Sequence, residues 1–169
     1  MSRDQRIVFA GAASGIAAMA LAMWRLPLIL PSPDAPDSAA RFAYALRWDV
    51  VAALPLFAAI VTVGNGRFFG PAIDPTQGAE DEKMRIDVRV VDNSLQQFAL
   101  FLVATLALAA ELPPPRLNAI AAASITFVAA RLAFWIGYRV GPLYRAPGFA
   151  ATAWLNAGLF AVALWLGFA

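Results

Sequence analysis

Residues 117–140 read LNAIAAASITFVAARLAFWIGYRV. The run carries two charges, Arg131 and Arg139, and is otherwise apolar or small. As a helix rising 1.5 Å per residue it reaches about 36 Å, enough to cross about 30 Å of hydrocarbon. It lacks the alternation of a barrel strand, so the span is helical. Four further runs have the same character: Ile7–Leu30, interrupted by Arg25 and Pro27, then Val50–Phe69, Val90–Ala110 and Phe149–Ala169. Ala and Gly are abundant within them, which permits close helix packing in lipid.

Composition agrees. Of 169 residues 61% are hydrophobic and 14% charged, where a soluble domain carries about 25% charged. The mean hydropathy is +0.66. There is no cysteine and no histidine, which removes disulfides, thiol catalysis, zinc sites and Ser-His or Cys-His catalysis. No metal is expected. A net charge of +2, spread along the chain, gives no footprint for nucleic acid. The expected class is an all-α membrane protein, in contact with membrane lipid through most of its surface.

The loops set an orientation. Arg3, Arg6, Arg67, Lys83, Arg85, Arg89, Arg139 and Arg145 fall on one side, and Arg25, Arg41, Arg47 and Arg116 on the other. Eight against four places the N-terminus in the cytoplasm and the C-terminus on the far side, and we expect a bacterial inner membrane. The opening Met-Ser-Arg-Asp-Gln-Arg before an apolar run also has the form of a signal peptide. The apolar stretch exceeds a typical h-region, so we read it as a retained helix. Pro31–Pro36 and Pro71–Lys83, with its Glu80-Asp81-Glu82 cluster, read as solvated loops. Leu112-Pro113-Pro114-Pro115-Arg116 reads as a rigid turn.

Polar groups within spans are costly and point to function. Arg89, Asn93, Gln96 and Gln97 are spaced i, i+4, i+7, i+8, one helical face near the cytoplasmic boundary. Interhelical hydrogen bonding with snorkelling of Arg89 explains them equally well. Arg131, Phe134 and Tyr138 share a second face, followed by Arg145. Arg131 lies more than two turns inside the span, so a buried partner is expected. Tyr138 also fits an interfacial aromatic belt. With Arg67 these groups converge at one depth, a plausible pocket for a small anion.

The stretch Arg89-Val-Val-Asp92-Asn93-Ser-Leu-Gln96 resembles the Arg-x-x-x-Asn-x-x-Glu pattern of the MAPEG family, membrane-associated proteins in eicosanoid and glutathione metabolism. Arg131-Leu-Ala-Phe134-Trp-Ile-Gly137-Tyr138, then Arg145-Ala-Pro147, resembles its later pattern. The resemblance covers roughly 48–169. It implies a four-helix domain there, preceded in 1–47 by an added N-terminal helix and a proline-rich loop. It further implies a homotrimer holding glutathione as co-substrate between subunits, with no metal. Arg67, Arg89, Asn93, Gln96, Arg131 and Tyr138 would form the binding set. Arg145 would be catalytic, holding the glutathione thiolate, since a nearby cation lowers a thiol pKa from about 8.5 toward neutrality. The thiolate would attack a small lipophilic electrophile arriving from the bilayer.

Two positions depart from the pattern. Gln96 stands where Glu is common, and losing that charge-assisted bond to the ligand ammonium costs about 1.5–3 kcal/mol. Phe134 replaces a Tyr found in some members. Asp92 points off the Arg89 face and is not expected to replace the acid. The alternative is a non-catalytic member acting as a lipid-binding or accessory subunit, with the first helix as an interface for a membrane-protein partner. A small transporter or channel is the third reading, disfavoured because no span reads as carrying an interior acidic residue.

Overall fold

The computed structural model describes all 169 residues. Five helices are long and apolar enough to cross a membrane. They are α1 (Arg3–Ile29), α2 (Ser38–Phe68), α3 (Glu82–Glu111), α4 (Asn118–Val140) and α5 (Ala146–Phe168), joined by short 3-10 turns at Pro75–Gln77, Pro114–Arg116 and Pro142–Arg145. The chain is an all-α membrane bundle of five helices.

Side-chain caps start the first three helices. Ser2 and Gln5 form a reciprocal capping box on α1. Asp37 accepts from Ala40 N at 2.8 Å and Asp81 from Met84 N at 2.7 Å, capping α2 and α3. The caps carry both helices beyond the apolar runs. α2 begins at Ser38 rather than Val50, so a boundary at residue 47 falls inside a continuous helix. α3 begins at Glu82 rather than Val90. Polar Arg41, Arg47 and Arg85 continue these helices past the hydrocarbon, where hydropathy gives no sign of them. Pro27 and Pro55 lie inside α1 and α2 without ending them.

α4 is the central helix and touches the other four. Phe101, Phe127, Leu108, Leu117 and Ile120 fill the larger core. Ala59, Val90, Phe134 and Tyr138 form a smaller one where α2 ends and α3 begins. Large apolar side chains such as Leu54, Phe57, Val103, Ile136 and Trp154 face outward, as a lipid-facing surface requires.

α1 is built into the bundle rather than set beside it. Gly15 is buried, and a Cβ there would overlap the Pro147 carbonyl at the start of α5. Toward the other end of α1, the Asn118 amide donates to the Pro27 and Leu30 carbonyls at 2.9 and 3.0 Å. Two tight glycines do similar work beside Arg145. A Cβ on Gly148 would meet the α4 backbone at Ala130 and Phe134, and one on Gly137 the Tyr144 carbonyl. The Tyr144–Gly148 segment is therefore seated on α4 and covered by α1.

The expectation that no span holds an interior acid is corrected. Asp49 lies within α2, 3% exposed, its Oδ1 accepting from Thr105 Oγ1 at 2.8 Å. Asp87, also 3% exposed, lies in α3. Each falls just outside the apolar run as read from hydropathy, so neither registered as interior.

Candidate functional site

The groups singled out from sequence gather where α2 ends, α3 begins and α4 passes into α5. Arg131 is 1% exposed. Its Nη2 donates to Asn93 Oδ1 at 3.0 Å and Ser94 Oγ at 2.8 Å. Its guanidinium lies over the Phe134 ring, 4.2 Å from the centroid. The expected buried partner thus exists, but it is neutral and on α3. Nε and Nη1 of Arg131 are buried without a hydrogen-bond partner.

The stack continues. Phe134 meets Tyr138 edge-on at 5.7 Å, and the Arg145 guanidinium lies 5.1 Å from the Tyr138 ring and 6.0 Å from that of Phe149. Asn93, Arg131, Phe134, Tyr138 and Arg145 form one column that runs from the protein interior to an exposed cation. Cation–π contact of this kind is worth about 0.5–2 kcal/mol per pair. Arg145 is exposed, and its Nε donates to the Pro142 carbonyl at 3.2 Å. Phe134, which lacks the hydroxyl of a tyrosine, supplies the apolar face on which Arg131 rests.

The remaining candidates stand apart from this column. The expected shared face of Arg89, Asn93, Gln96 and Gln97 is split. Arg89 and Gln96 are exposed. Asn93 turns inward to Arg131. Gln97 turns inward to α5, where its Oε1 and backbone carbonyl accept from Asn156 Nδ2 at 2.9 and 3.0 Å. A span of i to i+8 covers enough arc for its edges to face different neighbours.

Arg67, in the last turn of α2, donates through Nη2 to Glu80 Oε1 at 2.7 Å. Glu80 is therefore a helix-end partner rather than part of a solvated loop. The turn before it is ordered by Asp74, which accepts from Thr76 Oγ1, Thr76 N and Gln77 Nε2. These bonds, that from the Thr76 hydroxyl foremost, hold the Asp74 carboxyl below its ordinary range.

Sequence reasoning missed a second ion pair. Asp87 accepts from Arg139 Nε and Nη2 at 2.9 and 2.7 Å and from Trp135 Nε1 at 2.8 Å. Arg139, counted with the loops in setting the orientation, occupies the last turn of α4, as the helical span 117–140 implies.

Three openings adjoin these groups. A groove of about 670 Å³ between the start of α3 and the end of α4 is edged by Lys83, Tyr138 and Arg139. A second, of about 410 Å³ between α2 and α3, carries Arg67 and Asp92. A third, apolar cleft of about 490 Å³ lies between α1, α4 and α5 and ends at Pro147 and Gly148. None brings Arg89, Asn93, Tyr138 and Arg145 together within one chain. No three His, Cys, Asp or Glu side chains converge on a metal position.

Comparison with known proteins adds an independent line. The model described as "MAPEG family" matches residues 39–165. The chain is similar to transmembrane protein 79 of Bos taurus, 27% identical over 121 residues, which are 72% of this chain and 30% of that protein. It is likewise similar to transmembrane protein 79 of Mus musculus, 26% identical over 121 residues, 72% of this chain and 31% of that one. The chain thus spans less than a third of the length of these relatives. No solved structure matches.

Proposed function

The chain belongs to the MAPEG family, and from that premise we propose that it is a glutathione-dependent transferase or peroxidase acting on lipophilic electrophiles. One observation carries the reading. The stacked column ends in Arg145, an exposed guanidinium that rests on Tyr138 and is engaged by neither ion pair of the chain. A cation so placed stabilises a thiolate. The sulfur lone pair then forms a bond to an electrophilic carbon, and either a leaving group departs with its bonding pair or the carbon's π pair shifts to the far atom, which takes a proton from water. Arg145 would hold the thiolate while Arg89, exposed on α3, pairs with a glutathione carboxylate.

Arg89, Gln96 and Arg145 open outward and share no pocket within one chain, so the site is proposed to close where copies of a homotrimer meet. Asn93 and Arg131 act in this reading as supports, since both are committed to each other. The proposed orientation puts the site at the cytoplasmic face of a bacterial inner membrane.

A second reading has its own support. Arg67 is spent on Glu80, Asn93 on Arg131, and Gln96 is neutral. Those commitments favour a non-catalytic lipid-binding or accessory subunit. Calorimetry of glutathione with the purified protein in mild detergent separates the two. The first reading expects saturable binding that Arg89→Ala loses, while Arg145→Ala abolishes turnover and keeps much of the affinity. Absence of binding at millimolar glutathione would leave the second reading.

A further inference from the structure

The apolar cleft between α1, α4 and α5 runs along α1 from Ser14 to Leu26, about 18 Å at 1.5 Å per residue. Its walls are mostly small, with Ala18 and Ala22 on α1 and Ala129 and Ala133 on α4. Two hydroxyls reach it, and both are spent within their own helices. Ser14 donates to the Gly11 carbonyl at 2.8 Å and Thr126 to the Ala122 carbonyl at 2.7 Å. The lining therefore offers contact to hydrocarbon and no free polar group. α1 is fixed toward both ends of the cleft. Gly15 sits against the Pro147 carbonyl, and the Pro27 and Leu30 carbonyls accept from Asn118. The slot is therefore held open against a shift of α1. Its mouth opens sideways, since Ala18, Ala129 and Ala133 are exposed.

Left empty, such a slot forfeits the dispersion contacts of its walls. Its volume of about 490 Å³, spread over about 18 Å, corresponds to a channel about 6 Å wide. A helix with its side chains is about 10–12 Å across, so the slot is too narrow for one and fits a single hydrocarbon chain. A charge stands at the Leu26 end. Arg25 follows Ser14 at i+11 and Ala18 at i+7, which puts it on the same face of α1. It is exposed and takes part in neither ion pair of the chain. Its guanidinium lies 4.5 Å from the ring centroid of Trp24, which is also exposed. A cation beside a tryptophan near the end of a span suits the headgroup boundary. We propose that the cleft holds one acyl chain of a bilayer phospholipid, drawn from the leaflet at the Leu30 end, with the lipid phosphate on Arg25. The site depends on α1 and is independent of the glutathione reading.

The test places the full chain in phosphatidylcholine vesicles with a trace of phosphatidylglycerol that carries a diazirine midway along one acyl chain. A parallel sample carries the same chain on diacylglycerol. After irradiation, labelled residues are mapped by mass spectrometry. In wild-type protein, phosphatidylglycerol should label the cleft residues of α1 and α4 well above Leu54 and Phe57, which face outward on α2. It should also label the cleft about tenfold more than diacylglycerol does, the usual scale of a charge-assisted bond. Arg25→Gln should erase the difference between the two lipids. Ala18→Phe should clear the cleft of label while Leu54 and Phe57 keep theirs, which also reports that the variant is folded. Uniform labelling of cleft and outer face, or cleft label that survives Ala18→Phe, overturns the chain site. Equal labelling by the two lipids in wild-type protein overturns the role of Arg25. A cleft that takes no label overturns the assignment and points to a protein segment as its cover.

Discussion

Arg131 is the residue with most at stake, a guanidinium inside a membrane bundle without a carboxylate. Asn93 and Ser94 take one of its nitrogens and the Phe134 ring takes its face. Removing one partner leaves a buried donor unsatisfied, at about 1–3 kcal/mol. Asn93→Ala should therefore lower the unfolding midpoint in detergent in the absence of any thiol. An unchanged midpoint would return Asn93 to a purely ligand-binding role. That Arg131 needs a buried partner was legible from its depth in the span. That the partner would be Asn93 was not, because hydropathy and spacing rank positions along one helix and are silent on which faces meet. Asp87 shows the same blindness. Its bonds to Trp135 and Arg139 depend on where α3 lies against α4.

Among the elements, α3 carries the polar contacts that tie the bundle together. Asp87 bonds α4, Ser94 and Asn93 bond Arg131 on α4, Gln97 bonds Asn156 on α5, and Thr105 bonds Asp49 on α2. Lipid offers no hydrophobic drive for helix association, so such bonds and close packing hold helices together. α1 uses packing. Gly15→Ala forces a methyl group against the Pro147 backbone and should cost about 1–3 kcal/mol. Gly158→Ala, where a Cβ meets nothing within 4 Å, should be neutral or stabilising through helix propensity. Equal effects in thermal unfolding would contradict the seating of α1 on α5. The five helices were readable because 20-residue apolar runs have few other uses. Their starts were not, since Asp37 and Asp81 extend α2 and α3 through polar sequence.

For the whole molecule, an apolar exterior surrounds a bundle whose basic, proposed cytoplasmic, end is studded with arginines. Two of these, Arg67 and Arg139, are neutralised by Glu80 and Asp87. Arg89 and Arg145 are exposed and take no part in an ion pair. The family was legible from residues 89–97 and 131–147 because motif spacing survives where overall similarity is low. The completed site was not, because it is proposed to lie between chains. Native mass spectrometry of the protein released from detergent micelles, with and without glutathione, tests this most directly. The account predicts a trimer that carries bound glutathione and a monomer that carries none. A monomer that binds glutathione as well as the trimer does, or a trimer that stays empty at millimolar glutathione, would contradict it.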